Sequence, residues 1–281
     1  MSALTVTPIQ LLDQPALQLR QADGSEATVL LYGGHVLSFR PAQGEELLYL
    51  SPLATTAGGT AVRGGVPLIF PSFDRRGPEP GVPRHGFARK ALFTYVGSDE
   101  NGVHLTLQED PATLAVFPHP FRLSLRVGLS ATALTLRFAV QNCSASAFAF
   151  TGALHTYLRV SDIAQARVLG LAGRRYVDTA RAGAEGLEAA ERLKIEGEVD
   201  RIYGDVHQLV LVDGPRQVRV TQAGFTDAVV WNPGPELAAG LADLPDAGYR
   251  QMLCLEAAKA LSPLVLAAGE FFEGSQAIEL L

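Results

Sequence analysis

The sequence predicts an all-β fold of packed antiparallel sheets, on three observations. Short apolar or alternating runs recur along most of the chain, turn-forming residues separate them, and a single stretch has a helix-like composition.

The runs follow in order. Ala27 to Phe39 is rich in Val and Leu and is broken at Gly33-Gly34. Val103 to Leu107, Arg122 to Leu129 and Ala133 to Val140 alternate apolar and polar residues, the period of a strand with one buried face. Phe148 to Val160, Gln217 to Thr221, Asp227 to Asn232 and Met252 to Leu255 continue the series. Asp99-Glu100-Asn101-Gly102, Asp213-Gly214 and Asn232-Pro233-Gly234 supply turns between them. Ala184 to Leu193 has the helix-like composition, but Gly186 and a weak 3.6-residue period leave a loop leading into a strand at Leu193 to Glu196 as an equal alternative. This pattern points to two packed sheets rather than alternating βαβ units. No repeat, low-complexity tract or linker divides the 281 residues, so one domain spanning residues 1–281 is expected.

Composition narrows the function. At 47% hydrophobic and 19% charged, the chain is that of a globular protein with a large core. A net charge of −6 argues against nucleic acid or an anionic membrane as partner, since both demand a basic surface. Cys143 and Cys254 are the only cysteines and form no Cys-x-x-Cys pair, which argues against a disulfide scaffold or thiolate metal site. Met1 to Leu19 has no basic start before an apolar run, so neither a signal peptide nor a membrane span is expected and a cytoplasmic location is. Gly-x-Ser-x-Gly, P-loop, Gly-x-Gly-x-x-Gly and His-Glu-x-x-His motifs are all missing, which weakens serine-hydrolase, nucleotide-binding and zinc-peptidase functions together.

Three places could carry chemistry. From Arg63 to Lys90, six basic residues stand against two acidic ones, a local +4 in a stretch dense with Gly and Pro. Such a stretch is expected to be a long ordered loop, either functional or solubilising. Within it, Arg63-Gly64-Gly65 and Arg84-His85-Gly86-Phe87-Ala88-Arg89 combine guanidinium forks suited to phosphate with glycines that let backbone approach a ligand. His85 could hydrogen-bond a sugar hydroxyl or join an anion site. On a strand through Gly152 to Leu158, His155 shares a face with Ala153, Tyr157 and Arg159, opposite Leu154, Thr156 and Leu158. That face either lines a polar cleft or holds a structural histidine. Glu256 sits in the apolar run Met252 to Ala258. Either it is buried, with a raised pKa suited to a general base, or the strand ends there and it is exposed.

Taken in order, Gly33-Gly34-His35-Val36-Leu37-Ser38, Ala61-Val62-Arg63-Gly64-Gly65-Val66-Pro67, Arg84-His85-Gly86-Phe87-Ala88-Arg89, Ala153-Leu154-His155-Thr156-Tyr157 and Val199-Asp200-Arg201-Ile202-Tyr203 resemble the aldose 1-epimerase superfamily. With Val230-Trp231-Asn232-Pro233 and Cys254-Leu255-Glu256, the likeness runs from about residue 30 to 260 and is strongest to the glucose-6-phosphate 1-epimerase (hexose-6-phosphate mutarotase) branch. The resemblance implies a galactose-mutarotase-like β-sandwich, with an open substrate cleft across one sheet and no metal or cofactor. It implies that His155 and Glu256 are catalytic and that Arg63, Arg89 and Asp200 bind substrate. Arg84 stands where the resemblance implies Gln; it stays a substrate-binding candidate with His85, but as a donor-only cation. The expected partner is a small-molecule hexose phosphate, bound by a monomer or weak homodimer. Alternatives are a mutarotase for unphosphorylated aldoses, a non-catalytic sugar-phosphate-binding protein, and a glycosidase using Glu256 and Asp200.

Overall fold

The structure, a computed structural model, describes residues 4–281. The expected domain span begins in residues 1–3, outside the described residues. Among the described residues the strands form three sheets of four, eight and nine strands, and every strand pairing in them is antiparallel. No helix among them is long and apolar enough to cross a membrane.

The nine-stranded sheet forms the back of a sandwich, and alternation explains why. Phe121–Leu129 and Ala133–Asn142 turn every second residue inward, so that Leu123, Leu125, Val127, Leu134, Leu136 and Phe138 are buried while their neighbours face outward. The eight-stranded sheet behaves differently. Its central strands Phe148–Leu154, Asp227–Asn232 and Met252–Leu266 are buried on both faces over much of their length. One face packs on the back sheet; segments of irregular chain, above all residues 63–90 and 233–251, cover parts of the other. The cleft lies on this second face.

Two features depart from the expected pair of sheets. Thr5–Leu11, Gln14–Arg20, Glu26–Leu30 and His35–Arg40 make a separate four-stranded sheet, whose first strand is mostly exposed and carries little apolar alternation. The helix-like stretch is not a helix. Ala184–Leu187 is a strand paired with Arg175–Asp178, and Arg192–Lys194 is another, paired with Arg167–Leu169. At Gly186 the Tyr176 ring occupies the space of a side chain, with a built Cβ 2.4 Å from it, so the glycine serves this pairing. Among the described residues the two short α-helices lie elsewhere, at Pro111–Val116 and Gly234–Ala238.

Candidate active site

His155 and Glu256 meet because two adjacent strands present them on one face. The chain leaves its ladder after Phe148–Leu154 and rejoins it at Tyr157–Arg159, both pieces pairing with Met252–Leu266. Leu154 lies opposite Ala257 and Tyr157 opposite Cys254, which sets His155 beside Glu256. The break is anchored: the His155 backbone N–H donates to the Pro67 carbonyl at 3.0 Å, and Leu255 N–H to the Thr156 carbonyl at 3.1 Å. The Thr156 hydroxyl donates to the Gln276 side chain of the back sheet, whose amide donates to the Leu255 carbonyl at 3.0 Å. His155 and Tyr157 therefore point to the cleft while Leu154 and Leu158 enter the core.

His155 Nε2 is 3.4 Å from Glu256 Oε1, with the two side chains 12% and 1% exposed. The strand runs straight through Glu256, so the exposed alternative is excluded. His155 Nδ1 and Glu256 Oε2 are buried without a hydrogen-bond partner among the described residues, a state that few buried polar atoms occupy. Burial, with the Asp200 charge adding to it, pushes the Glu256 carboxyl well above its usual range. Burial, then His85, Arg89 and Arg63, hold His155 well below the usual imidazole range. Both shifts run toward the uncharged forms, a carboxylic acid beside a neutral imidazole.

The Arg-rich segment is an ordered wall of the cleft rather than a solubilising surface loop. Phe70 and Phe87 fasten it to the core, Phe70 lying 5.9 Å from Phe87 and 5.2 to 5.6 Å from Phe117, Phe121 and Phe150. Such aromatic pairs contribute about 0.5–1.5 kcal/mol each beyond area burial. Gly86, at φ 67°, passes so close to the Phe70 carbonyl that a Cβ would sit 1.9 Å from its oxygen. His85 itself takes a left-handed φ of 62° and accepts the Asp74 backbone N–H at Nδ1, 3.3 Å away. Its Nε2 is then the protonated nitrogen, and its ring sits 5.8 Å from that of His155.

The arginines divide by partner. Arg63 donates to the Tyr157 hydroxyl at 3.0 Å and to Asp243 Oδ1 at 3.1 Å, so its fork is already engaged. Exposed Arg84 pairs with Asp74. Arg89 donates only to the Arg84 carbonyl, at 3.0 Å; its Nε is buried without a partner, and it pairs with no carboxylate among the described residues. Arg76 also lines the cleft, whereas Arg75 and Lys90 do not. His35, by contrast, is structural: its buried Nε2 donates to the Gly64 carbonyl at 2.7 Å, and burial lowers its pKa to about 4.

The opposite wall carries Asp200, Glu198, Thr179, Trp231, Leu237 and Leu241. Asp200 lies on the strand Val199–Gly204 opposite Trp231, and burial raises its carboxyl. Its neighbour Arg201 turns away to Asp178 and Glu188. The cleft encloses about 470 Å³, within the usual range of small-molecule sites. All seven residues singled out in the sequence (Arg63, Arg84, His85, Arg89, His155, Asp200 and Glu256) line it.

Sequence reasoning assigned no role to Tyr157, Trp231, Asp74, Arg76 or Asp243. Tyr157 had a signal, its i+2 spacing from His155 on one strand face. Trp231 lay within a motif of the resemblance. Asp243 sits in an irregular segment 180 residues from Arg63 and had none.

The family model described as aldose 1-epimerase matches residues 15–279. A protein of Cenchrus ciliaris named "putative glucose-6-phosphate 1-epimerase" is 35% identical, with 92% of this chain and 83% of that one covered. One of the same name from Escherichia coli (strain K12) is 35% identical, with 84% and 80% covered. The crystal structure of a "putative mutarotase" from Salmonella typhimurium superposes with a TM-score of 0.87 at 32% identity, covering 98% of this chain and 93% of that one.

Proposed function

The chain belongs to the aldose 1-epimerase family, and from that premise we propose that it interconverts the α and β anomers of a hexose 6-phosphate. One observation carries the substrate class: the same cleft holds the His155–Glu256 pair and, in Arg89, a cation with no carboxylate partner among the described residues and an unmet buried Nε. A phosphate dianion supplies both the missing charge and the missing acceptor.

The chemistry moves two protons. Ring opening removes the proton from O1 and delivers one to O5; rotation about C1–C2 and closure reverse both transfers. Glu256 acts as base at O1 and His155 as acid at O5. That direction needs a carboxylate and an imidazolium, which carry the same total of one proton as the uncharged pair and differ from it by one transfer across the 3.4 Å gap. Phosphate binding favours the transfer, because it offsets the Arg89 and Arg63 charges that disfavour protonation of His155. Each residue performs the reverse step on closure, and no covalent intermediate forms. Positioned proton transfer of this kind contributes about 10²–10⁴-fold.

Exchange between anomers, followed by NMR with glucose 6-phosphate and with glucose, tests the substrate class. Faster exchange of the phosphorylated sugar is expected; a preference for free hexose would assign the chain to unphosphorylated aldoses.

A further inference from the structure

We propose that Tyr157 is a positioning residue for His155: its phenol ring, held by Arg63 and Asp243, fixes the imidazole plane and offers a π-face to the protonated imidazole. The inference rests on His155 carrying a proton in the reaction proposed above.

The two rings lie parallel, centroids 4.9 Å apart with 9° between planes. Alternate residues on a regular strand stand roughly 6.5–7 Å apart, so the ladder break at His155-Thr156 brings these rings into contact. Trp231 meets both edge-on, 6.0 Å away at 80° and 81°. The imidazole therefore cannot tilt without displacing a second ring. Tyr157 is itself tied at its hydroxyl, which accepts from Arg63 Nη1 at 3.0 Å, while Asp243 holds the same guanidinium.

The charge environment gives the stacking a use. His155 is faced by Glu256 and Cys254 from one strand, by Arg63, His85 and Arg89 from the Arg-rich segment, and by Asp200 across the cleft. Arg63, Arg89 and His85 oppose its protonation. The Tyr157 face is neutral and attracts a cation, most strongly in a desolvated setting. A phenylalanine would keep that face and lose only the tether; a leucine would lose the face.

The test compares anomer exchange and its pH profile for wild type, Tyr157→Phe and Tyr157→Leu, with 15N-resolved NMR titration of the His155 ring. Y157F, which loses the tether and keeps the π-face, is expected to lower kcat less than Y157L does and to leave the acid limb in place. Y157L is expected to lower kcat about tenfold or more, change KM less than about threefold, and move both the acid limb and the His155 titration to lower pH. Should Y157L not fold, Tyr157→Met fills similar volume without an aromatic face and carries the same expectation. A Y157L protein with an unchanged His155 titration would overturn the proposal, as would a Y157F protein as damaged as Y157L. A wild type without anomerase activity would instead overturn the function proposed above, and the ring titration would still decide this inference.

Discussion

Glu256 Oε1 lies 3.4 Å from His155 Nε2, and the second polar atom of each side chain is buried with no hydrogen-bond partner among the described residues. A carboxyl and an imidazole buried this way are costly to hold in charged form. In the proposed reaction, substrate hydroxyls meet the two unpartnered atoms. On that proposal, stability and activity are linked through the same two groups.

Glu256→Gln is expected to stabilise the fold at pH 8 while removing activity. The folded Glu256 pKa is raised above the ordinary 4.5 by burial. Its contribution to stability is thus complete below about pH 4.5 and is lost as pH rises toward the folded value. Glutamine has no such dependence. A gain of about 1 kcal/mol corresponds to a Tm rise of roughly 2–4 °C in a chain of this size. Thermal melts at pH 5 and pH 8 check it: the advantage of the variant should be larger at pH 8. A variant less stable at pH 8 than at pH 5, relative to wild type, would show Glu256 to be held as a satisfied carboxylate.

The proposed reaction uses one proton shared by the pair, so the rate should follow a bell-shaped pH profile. The acid limb marks uptake of a second proton at His155, whose pKa burial and the nearby guanidinium charges lower from 6.5. That limb is expected below pH 6.5. It should lie at higher pH with glucose 6-phosphate than with glucose, since a phosphate offsets Arg89 and Arg63. Rate profiles for both sugars measure the difference; coincident acid limbs would mean that no phosphate reaches those arginines.

Arg89→Ala should weaken glucose 6-phosphate about tenfold or more, the size of a lost charge-assisted hydrogen bond. Any activity on free glucose should stay nearly intact. Arg89→Lys should recover part of the loss, as a point charge without the bidentate fork. KM and kcat for both sugars check this. Equal losses on both would make Arg89 a structural residue. Arg63, expected from the resemblance to share this task, is engaged by Tyr157 and Asp243, so its replacement should depress kcat as well as binding.

What could be read in the sequence followed from local rules. The back-sheet strands showed strict alternation because one face is wet, and the apolar setting of Glu256 anticipated its burial. The central strand was cut short at Leu255, where the apolar run gives way to Glu256, small residues and Lys259; it continues to Leu266, with Leu261 to Pro263 and Val265 exposed. The helix at Pro111–Val116 was legible and missed: Asp110 caps it through the Thr113 backbone N–H at 2.7 Å, and proline occupies its first turn. In the site, His155 and Tyr157 were placed on one face by the two-residue period. The partners of each arginine were not legible. They depend on contacts such as Arg63 to Asp243, which join segments far apart in the chain and obey no local pattern.

The central claim is that His155 and Glu256 exchange protons with a hexose phosphate, and saturation transfer between its anomeric protons tests this most directly. The measurement compares wild type, His155→Ala and Glu256→Gln, each first shown to be folded by circular dichroism and thermal melting. Wild type is expected to accelerate exchange of glucose 6-phosphate, and each variant to lose about a hundredfold or more of that acceleration. A folded variant that retains more than about a tenth of the wild-type rate would contradict the role of the residue it replaces.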